Sequence, residues 1–364
     1  MELKRNWVIK RMDDVAPLQR GFDLPNTQLV KGDYPVVYSN GILNHHISFK
    51  IQGPGVVTGR SGTIGKVTFV ENAFWPHNTS LWVKDFKNND PRFVFYLYVF
   101  LSLEKFSTGS GVPTLNRNDV HDQLIKIPPT LAEQQAIAKV LSDTDELIQA
   151  LERKIEKKNL VLDGTTEALL NPDKPNGIRL RGFEKFEWKK TTIGAVAEIT
   201  TGNKNTQDRV SDGKYPFYVR SQKVERINTY SFDGEGILTA GDGVGTGKVF
   251  HYVNGKVDIH QRVYLIYDFK DDIDGYFLYL VFKRNFYNRM MMMTAKSSVD
   301  SVRREMIANM EVYVPNSIDE QKAISSSIKD LSNEIESLEK NLSKYKILKQ
   351  ALMQQLLTGK IRLV

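Results

Sequence analysis

Apolar side chains recur at every seventh residue in two long stretches of this chain. In the first, Leu141, Ile148, Ile155, Leu162 and Leu169 form one column, with Ile137, Thr144 and Leu151 as the second. In the other, Ile328, Ile335, Leu342, Lys349 and Leu356 run beside Ile324, Leu331, Leu338, Tyr345 and Leu352. Sustained heptads predict a coiled coil, and a helix of about 40 residues is about 60 Å long at ~1.5 Å per residue. Ahead of each helix the pattern changes to short β-rich runs broken by Gly, Asn and Asp: GVVTG, KVTFV and TSLWV, then GILTA, KVFHYV and RVYLIY. Each such region also holds one aromatic helical stretch, PRFVFYLYVFLSLEKF and DGYFLYLVFKRNFYNRM. The density of large rings there predicts buried core rather than a platform for stacking bases. The expected fold class is α+β.

The two halves are copies. WVIKRMDDVAPLQRG, from Trp7 to Gly21, matches WKKTTIGAVAEITTG, from Trp188 to Gly202, at an offset of 181. Gly32, Tyr34 and Pro35 fall on Gly213, Tyr215 and Pro216 at the same offset, and IPPTLAEQQAI meets VPNSIDEQKAI at 187. A self-similarity sustained over nearly the whole chain means one unit of about 180 residues written twice. The boundaries read as a first globular domain over 1–130, a helix over 131–170, a linker over 171–187, a second globular domain over 188–317 and a second helix over 318–360. The linker, NPDKPNGIRLRGFEKFE, breaks helix with its prolines and glycines. Parallel helices would oblige it to run back along the whole first helix, near the limit of about 3.3 Å per residue. The antiparallel pairing needs no such stretch and predicts a rod with one domain at each end.

Charge and composition narrow the partners. Among 364 residues, 50 Lys+Arg stand against 43 Asp+Glu, giving a net charge of +7, and the pI is about 9.2. That balance suits a polyanion such as nucleic acid. The chain contains no cysteine, which excludes disulfides, thiol catalysis and cysteine-ligated zinc. It opens on the polar MELKRNWVIKRMDD and holds no run of about 18 apolar residues, so a cytoplasmic address is expected and a membrane partner is not.

The search for catalytic chemistry is mostly negative. GVVTGRSGTIGKV and GILTAGDGVGTGKV both end on Gly-Lys-Val, but Val67 and Val249 stand where a phosphate loop needs Ser or Thr for magnesium. The Gly59 to Thr63 stretch has Thr where a nucleophile elbow needs its second glycine. The six histidines have no metal-ligand spacing. Asp173 with Glu187 and Lys189 fits a loose nuclease pattern, yet Asp173 lies in the linker and Trp188 is simply the first residue of the repeat.

The layout resembles the specificity subunit of type I restriction-modification systems. The residues that carry the resemblance are the Trp-led segments ending in Gly21 and Gly202, the paired Gly-Lys-Val loops, and the opening of each heptad helix: Pro128, Glu133, Gln134, Ala136, Ile137 and Pro315, Glu320, Gln321, Ala323, Ile324. The resemblance implies two pseudo-symmetric α/β target recognition domains joined by two long antiparallel coiled-coil helices. It implies a non-catalytic chain that binds double-stranded DNA, each domain reading one half of a split, asymmetric target and the helices setting the gap. It also implies two modification subunits and further restriction subunits as partners. No cofactor belongs to this chain on that reading; S-adenosylmethionine, ATP and Mg belong to the partners. The loop glycines are expected to allow close approach to the duplex. Arg for guanine, Asn or Gln for adenine, and Lys, Ser or Thr for phosphate single out the DNA-binding candidates. In the first domain these are Arg60, Ser61, Thr63, Lys66, His77, Asn78 and Thr79, with Ser110, Thr114, Asn116 and Arg117 on a second loop. In the second they are Lys204, Arg220, Lys223, Asp242, Thr246, Lys248, His260, Gln261, Arg262, Lys296 and Ser297. For His77 and His260 a structural hydrogen-bonding role is the stronger expectation. The coiled-coil or partner-facing set is Leu141, Ile148, Leu151, Ile155, Leu162, Ile328, Leu331, Ile335, Leu338 and Leu342.

Overall fold

A computed structural model of the protein describes residues 6–109, 111–185, 187–294 and 301–363. Two compact units emerge, Met1–Ile155 with Leu338–Val364, and Glu156–Ser337. The long helices, Leu131–Leu170 and Ile318–Leu356, each contribute one half to either unit.

In the first unit, strand Val8–Arg11 pairs antiparallel with Leu124–Ile127, closing the domain just before the helix begins. The main sheet runs in the order Leu18–Arg20, Ser80–Val83, Gly55–Gly59, Val67–Val70. Against it packs helix Pro91–Leu101, which starts because Asp90 accepts a hydrogen bond from Phe93 N at 2.8 Å and Pro91 suits the first turn. It stops at Ser102, which is left-handed at φ 52°. Phe93, Tyr96 and Tyr98 are fully buried in the core with Val56, Leu81 and Met12.

The second unit repeats this plan. Trp188–Thr192 pairs with Glu311–Pro315, and the sheet order begins Glu198–Thr201, Val263–Tyr267, Phe232–Ala240, Phe250–Ile259. Asp274 caps helix Gly275–Thr294 by accepting from Phe277 N at 2.8 Å, and Phe277, Phe282 and Phe286 are buried. The units differ in how their sheets are joined. Strand Phe250–Ile259 is unbroken and adds Tyr215–Tyr218 in parallel (Phe217↔Asp258), giving a six-stranded sheet. In the first unit Glu71-Asn72-Ala73 interrupts that strand, so the equivalent pairing, Val36↔Trp75, falls in a separate three-stranded sheet.

Within each unit the helix halves run antiparallel. In the first, Lys346 pairs with Glu152 at 2.7 Å and Lys349 with Asp145 at 2.5 Å, one sequence rising as the other falls. In the second, Leu162 and Leu169 join a core cluster with Ile324 and Ile328 near the start of the other helix. Leu141, Ile148, Ile155, Ile328 and Ile335 are buried; Leu151, Leu162, Leu331, Leu338 and Leu342 are half-buried. These heptad positions form the intramolecular seam. The apolar side chains left exposed on the helices are others: Leu131, Leu147, Leu160, Val161, Ile347 and Leu348.

The Glu-Gln pair at the start of each helix is explained by its burial. Glu133 accepts from Trp7 Nε1 at 3.2 Å and from Arg362 Nη2 at 2.7 Å. Glu320 accepts from Trp188 Nε1 and from Arg179 Nη2, both at 3.2 Å. Gln134 takes Asp90 N and gives to Pro128 O; Gln321 takes Asp274 N and gives to Pro315 O. Each motif thus ties the helix to the first residue of the repeat, to the cap of the aromatic helix and to a returning arginine. Both arginines stand in an Ile-Arg-Leu segment just after a long helix, so the repeat extends through 361–363.

Candidate nucleic-acid interface

Backbone hydrogen bonds sew three loops of the first unit together. Arg60 N and Ser61 N donate to Thr79 O at 2.9 and 3.2 Å, Gly62 N to Pro113 O at 2.9 Å, and Leu115 N to Arg60 O at 2.8 Å. This gathers Arg60, Ser61, His77, Asn78, Thr79 and Thr114. Arg60 donates to Asn78 O at 3.1 Å, and the Asn78 amide donates to the Asp23 carboxylate. His77 Nδ1 lies 3.0 Å from the Thr79 hydroxyl and its ring packs on Tyr38 at 4.4 Å. Desolvation holds the imidazole below its ordinary pKa, so it is neutral at pH 7. Thr63 is exposed at the loop tip. Lys66 instead turns to Asn40 O at 2.6 Å, and Asn116 caps the short helix Arg117–His121 by accepting from Asn118 N at 3.1 Å. Arg117 is exposed on its first turn, and Ser110 lies outside the described residues.

The second unit builds the same frame with different side chains. Gly241 N donates to Arg262 O at 2.8 Å and Val302 N to Gly241 O at 2.7 Å. Asp242 is gripped by two exposed arginines, Arg220 Nη1 at 2.8 Å and Arg262 Nη1 at 2.6 Å. Burial pushes the Asp242 carboxyl upward, but the guanidiniums outweigh it and hold the pKa below the ordinary aspartate value. Gln261 Nε2 donates to Asn205 Oδ1 at 2.5 Å, and Gln261 N to Lys204 O at 2.8 Å. His260 is buried, accepts from Arg262 N at 3.0 Å, and is held neutral by desolvation. Of the other candidates, Lys204 joins this cluster through its backbone, while Lys223 and Lys248 stand apart from it. Lys204 Nζ lies 4.0 Å from the fully buried Asp258 carboxylate, Lys223 lies 3.7 Å from Glu225, and Lys248 sits over the Tyr287 ring at 5.8 Å. The Thr246 hydroxyl donates to Gly243 O at 2.7 Å, closing its own turn. Lys296 and Ser297 lie outside the described residues.

The isolated bridges Phe22↔His77 and Lys204↔His260 fix how the two units correspond. Arg60 answers to Gly241, Ser61 to Asp242, Thr79 to Arg262, Ser39 to Arg220, Asn78 to Gln261 and Asp23 to Asn205. One unit therefore offers a single arginine flanked by hydroxyls, and the other a carboxylate flanked by two arginines. Asp23, Asn205 and Val244, the last exposed at its loop tip, were not among the sequence candidates. The sequence signal for the first two is their place just after Gly21 and Gly202. Those glycines are required by close packing, since a Cβ would overlap His77 O at the first and Ile259 O at the second. The loop glycines also answer largely to internal contacts. A Cβ on Gly59 would overlap Thr63 O, and one on Gly245 would come within 2.6 Å of Arg220 O. At Gly62 and Gly243, at φ +86° and +78°, a Cβ would meet only ordinary contacts, Ser39 Oγ at 3.6 Å and Arg220 Nη1 at 3.8 Å, so the left-handed backbone rather than packing favours glycine there.

The sequence model of the family described as the type I restriction modification DNA specificity domain matches residues 4–158 and 185–344. The chain belongs to this family. Among its relatives is the type I restriction enzyme MjaVIII specificity subunit of Methanocaldococcus jannaschii, 28% identical over 309 residues, which cover 73% of this chain and 70% of that one. The crystal structure of a type I restriction-modification S subunit from M. genitalium matches with a TM-score of 0.75 at 17% identity, covering 97% of this chain and 96% of that one. A chain from a structural study of complex assembly and conformational transition in the type I R-M system matches at a TM-score of 0.55 and 14% identity, over 99% and 100% of the two chains. Both likenesses concern the fold alone. Among the described residues no helix is long and apolar enough to cross a membrane, and no group of three His, Asp or Glu side chains is placed to hold a metal ion.

Proposed function

We propose that this chain is the DNA-reading subunit of a type I restriction-modification complex, that each loop cluster reads one half of a split, non-palindromic duplex target, and that the helix pair sets the gap between the halves. The observation that supports this best is the duplicated loop frame with different charge, Arg60 beside Ser61 in one copy and, in the other, Asp242 at the place of Ser61 between Arg220 and Arg262. Identical backbone settings with different side chains suit two readers of unlike sequences. Lysines set apart from these clusters, such as Lys66, suit phosphate contacts that position without specifying.

The chemistry would be supplied by partners: two modification subunits carrying S-adenosylmethionine for adenine methylation, and restriction subunits using ATP and Mg for translocation and cleavage. The exposed apolar residues Leu147, Leu160, Val161, Ile347 and Leu348 are the surface we assign to modification-subunit docking. Arg60→Ala tests the two-reader arrangement in full complexes. It should relax one half-site and leave the other readable at every salt concentration. An equal loss across all sequences, with a shallower salt dependence, would mark Arg60 as a phosphate contact and count against base reading there.

A further inference from the structure

We infer that Asn78 and Gln261 are equivalent base readers, each addressing an adenine in its own half-site. The inference rests on the DNA-reading function proposed above and assigns a base to one position in each domain. A side-chain amide that follows a half-buried or buried histidine occurs at the same place in both units, at the centre of the sewn loops. In both it is tethered from the same side. Asn78 donates to Asp23 Oδ1 and Gln261 to Asn205 Oδ1, each acceptor lying just beyond the glycine that lets the two backbones touch.

A carboxamide carries two N–H donors and one oxygen acceptor. The tether uses one N–H and sets the plane of the group. Among the described residues no hydrogen bond reaches either amide oxygen, so one donor and one acceptor remain side by side. In the major groove adenine alone matches that pair, with N7 as acceptor and N6–H₂ as donor. Guanine presents two acceptors there, cytosine a donor alone, and thymine an acceptor beside its methyl group. The tether also removes rotamer freedom before binding, which sharpens discrimination. Charge differs between the two loop sets at Ser39 and Arg220, Arg60 and Gly241, Ser61 and Asp242, and Thr79 and Arg262, yet this arrangement is kept.

The test is selection of the full chain on a randomised duplex library. The unaltered protein should enrich a split motif with a preferred adenine in each half. Asn78→Ala should cut one of those preferences by about 5- to 150-fold, the range expected for a bidentate base contact, and leave the other half intact; Gln261→Ala should do the reverse. Gln261→Glu keeps the shape but leaves only acceptors, and Asn205 can turn its own NH₂ toward it, so the preference should move from adenine to cytosine. If an alanine variant loses both halves together it has misfolded, and the isosteric Glu variant decides alone. Unchanged base preferences in all three variants overturn the inference while the DNA-reading function stands. Failure of the unaltered chain to enrich any split motif would overturn that function, and the inference with it.

Discussion

His77 and His260 hold equivalent places in the two reading clusters, and both act on backbone. Thr79 N points at His77 Nδ1, and Arg262 N donates to His260 Nδ1. A proton on Nδ1 of either ring would set donor against donor. Burial likewise lowers His121, which accepts from Leu18 N at 2.8 Å, and His251. With four folded-state pKa values below the ordinary imidazole value of about 6.5, the unfolded chain binds more protons in the window just below it. Stability is then full above that value and falls as pH drops through it. The thermal midpoint followed by circular dichroism should be flat from about pH 8 to 7 and decline toward pH 5; a rise on acidification would contradict this account. The buried clasps give a second expectation. Glu133 and Glu320 side chains are 1% exposed, whereas their partners Arg362 and Arg179 are 23% and 22% exposed. Removing either arginine leaves a buried carboxylate with Trp as its remaining partner. Arg179→Ala should cost about 3 kcal/mol, the low end for a broken buried pair because the arginine is partly solvated, and Arg362→Ala should destabilise in the same direction. Urea unfolding would check it, and a shift below about 1 kcal/mol would show the clasp to be dispensable. The glutamates were legible in the sequence as part of a repeated motif, but their role was not. Arg362, the partner of Glu133, lies 229 residues away, beyond the end assigned to the second helix, and Arg179 lies 141 residues from Glu320; no local pattern couples residues so far apart.

At the scale of elements, periodicity carried most of the information. The heptads located both long helices, because an intramolecular seam imposes the same seven-residue spacing as any coiled coil. The aromatic stretches were legible as core for a similar reason, since Phe93, Tyr96, Phe277 and Phe282 are too large to be tolerated outside it at such density. Periodicity could not separate the seam from a docking face, because Leu147 and Ile148 are adjacent in sequence and opposite in exposure. It also could not show that Glu71-Asn72-Ala73 splits one sheet where its counterpart runs on, since short strands pair by tertiary contact. Glycines were legible as special positions, but sequence could not show that Gly21, Gly59 and Gly245 make room for neighbouring backbone. Gly21→Ala should therefore cost about 1–3 kcal/mol through overpacking and impair the first half-site only, read as a lower unfolding midpoint with the second half-site still selected. Equal damage to both half-sites would argue against independent reading clusters.

For the whole molecule the account predicts a modular reader, two domains whose sequences are chosen separately and a helix pair that chooses the distance. One heptad inserted into both long helices adds about 10 Å, equivalent to about three base pairs at ~3.4 Å per pair along each strand. The tolerated gap should lengthen by that amount with both half-sequences unchanged; an unaltered gap would sink the spacer role. The central claim is that this chain alone gives the complex its target. The measurement that tests it most directly is a genome-wide map of adenine methylation in the native cell with and without this gene. Loss of methylation at one split, non-palindromic motif, with all other methylation kept, is the predicted result. A methylation map identical in the two strains, while the modification subunits are expressed and active, would contradict it.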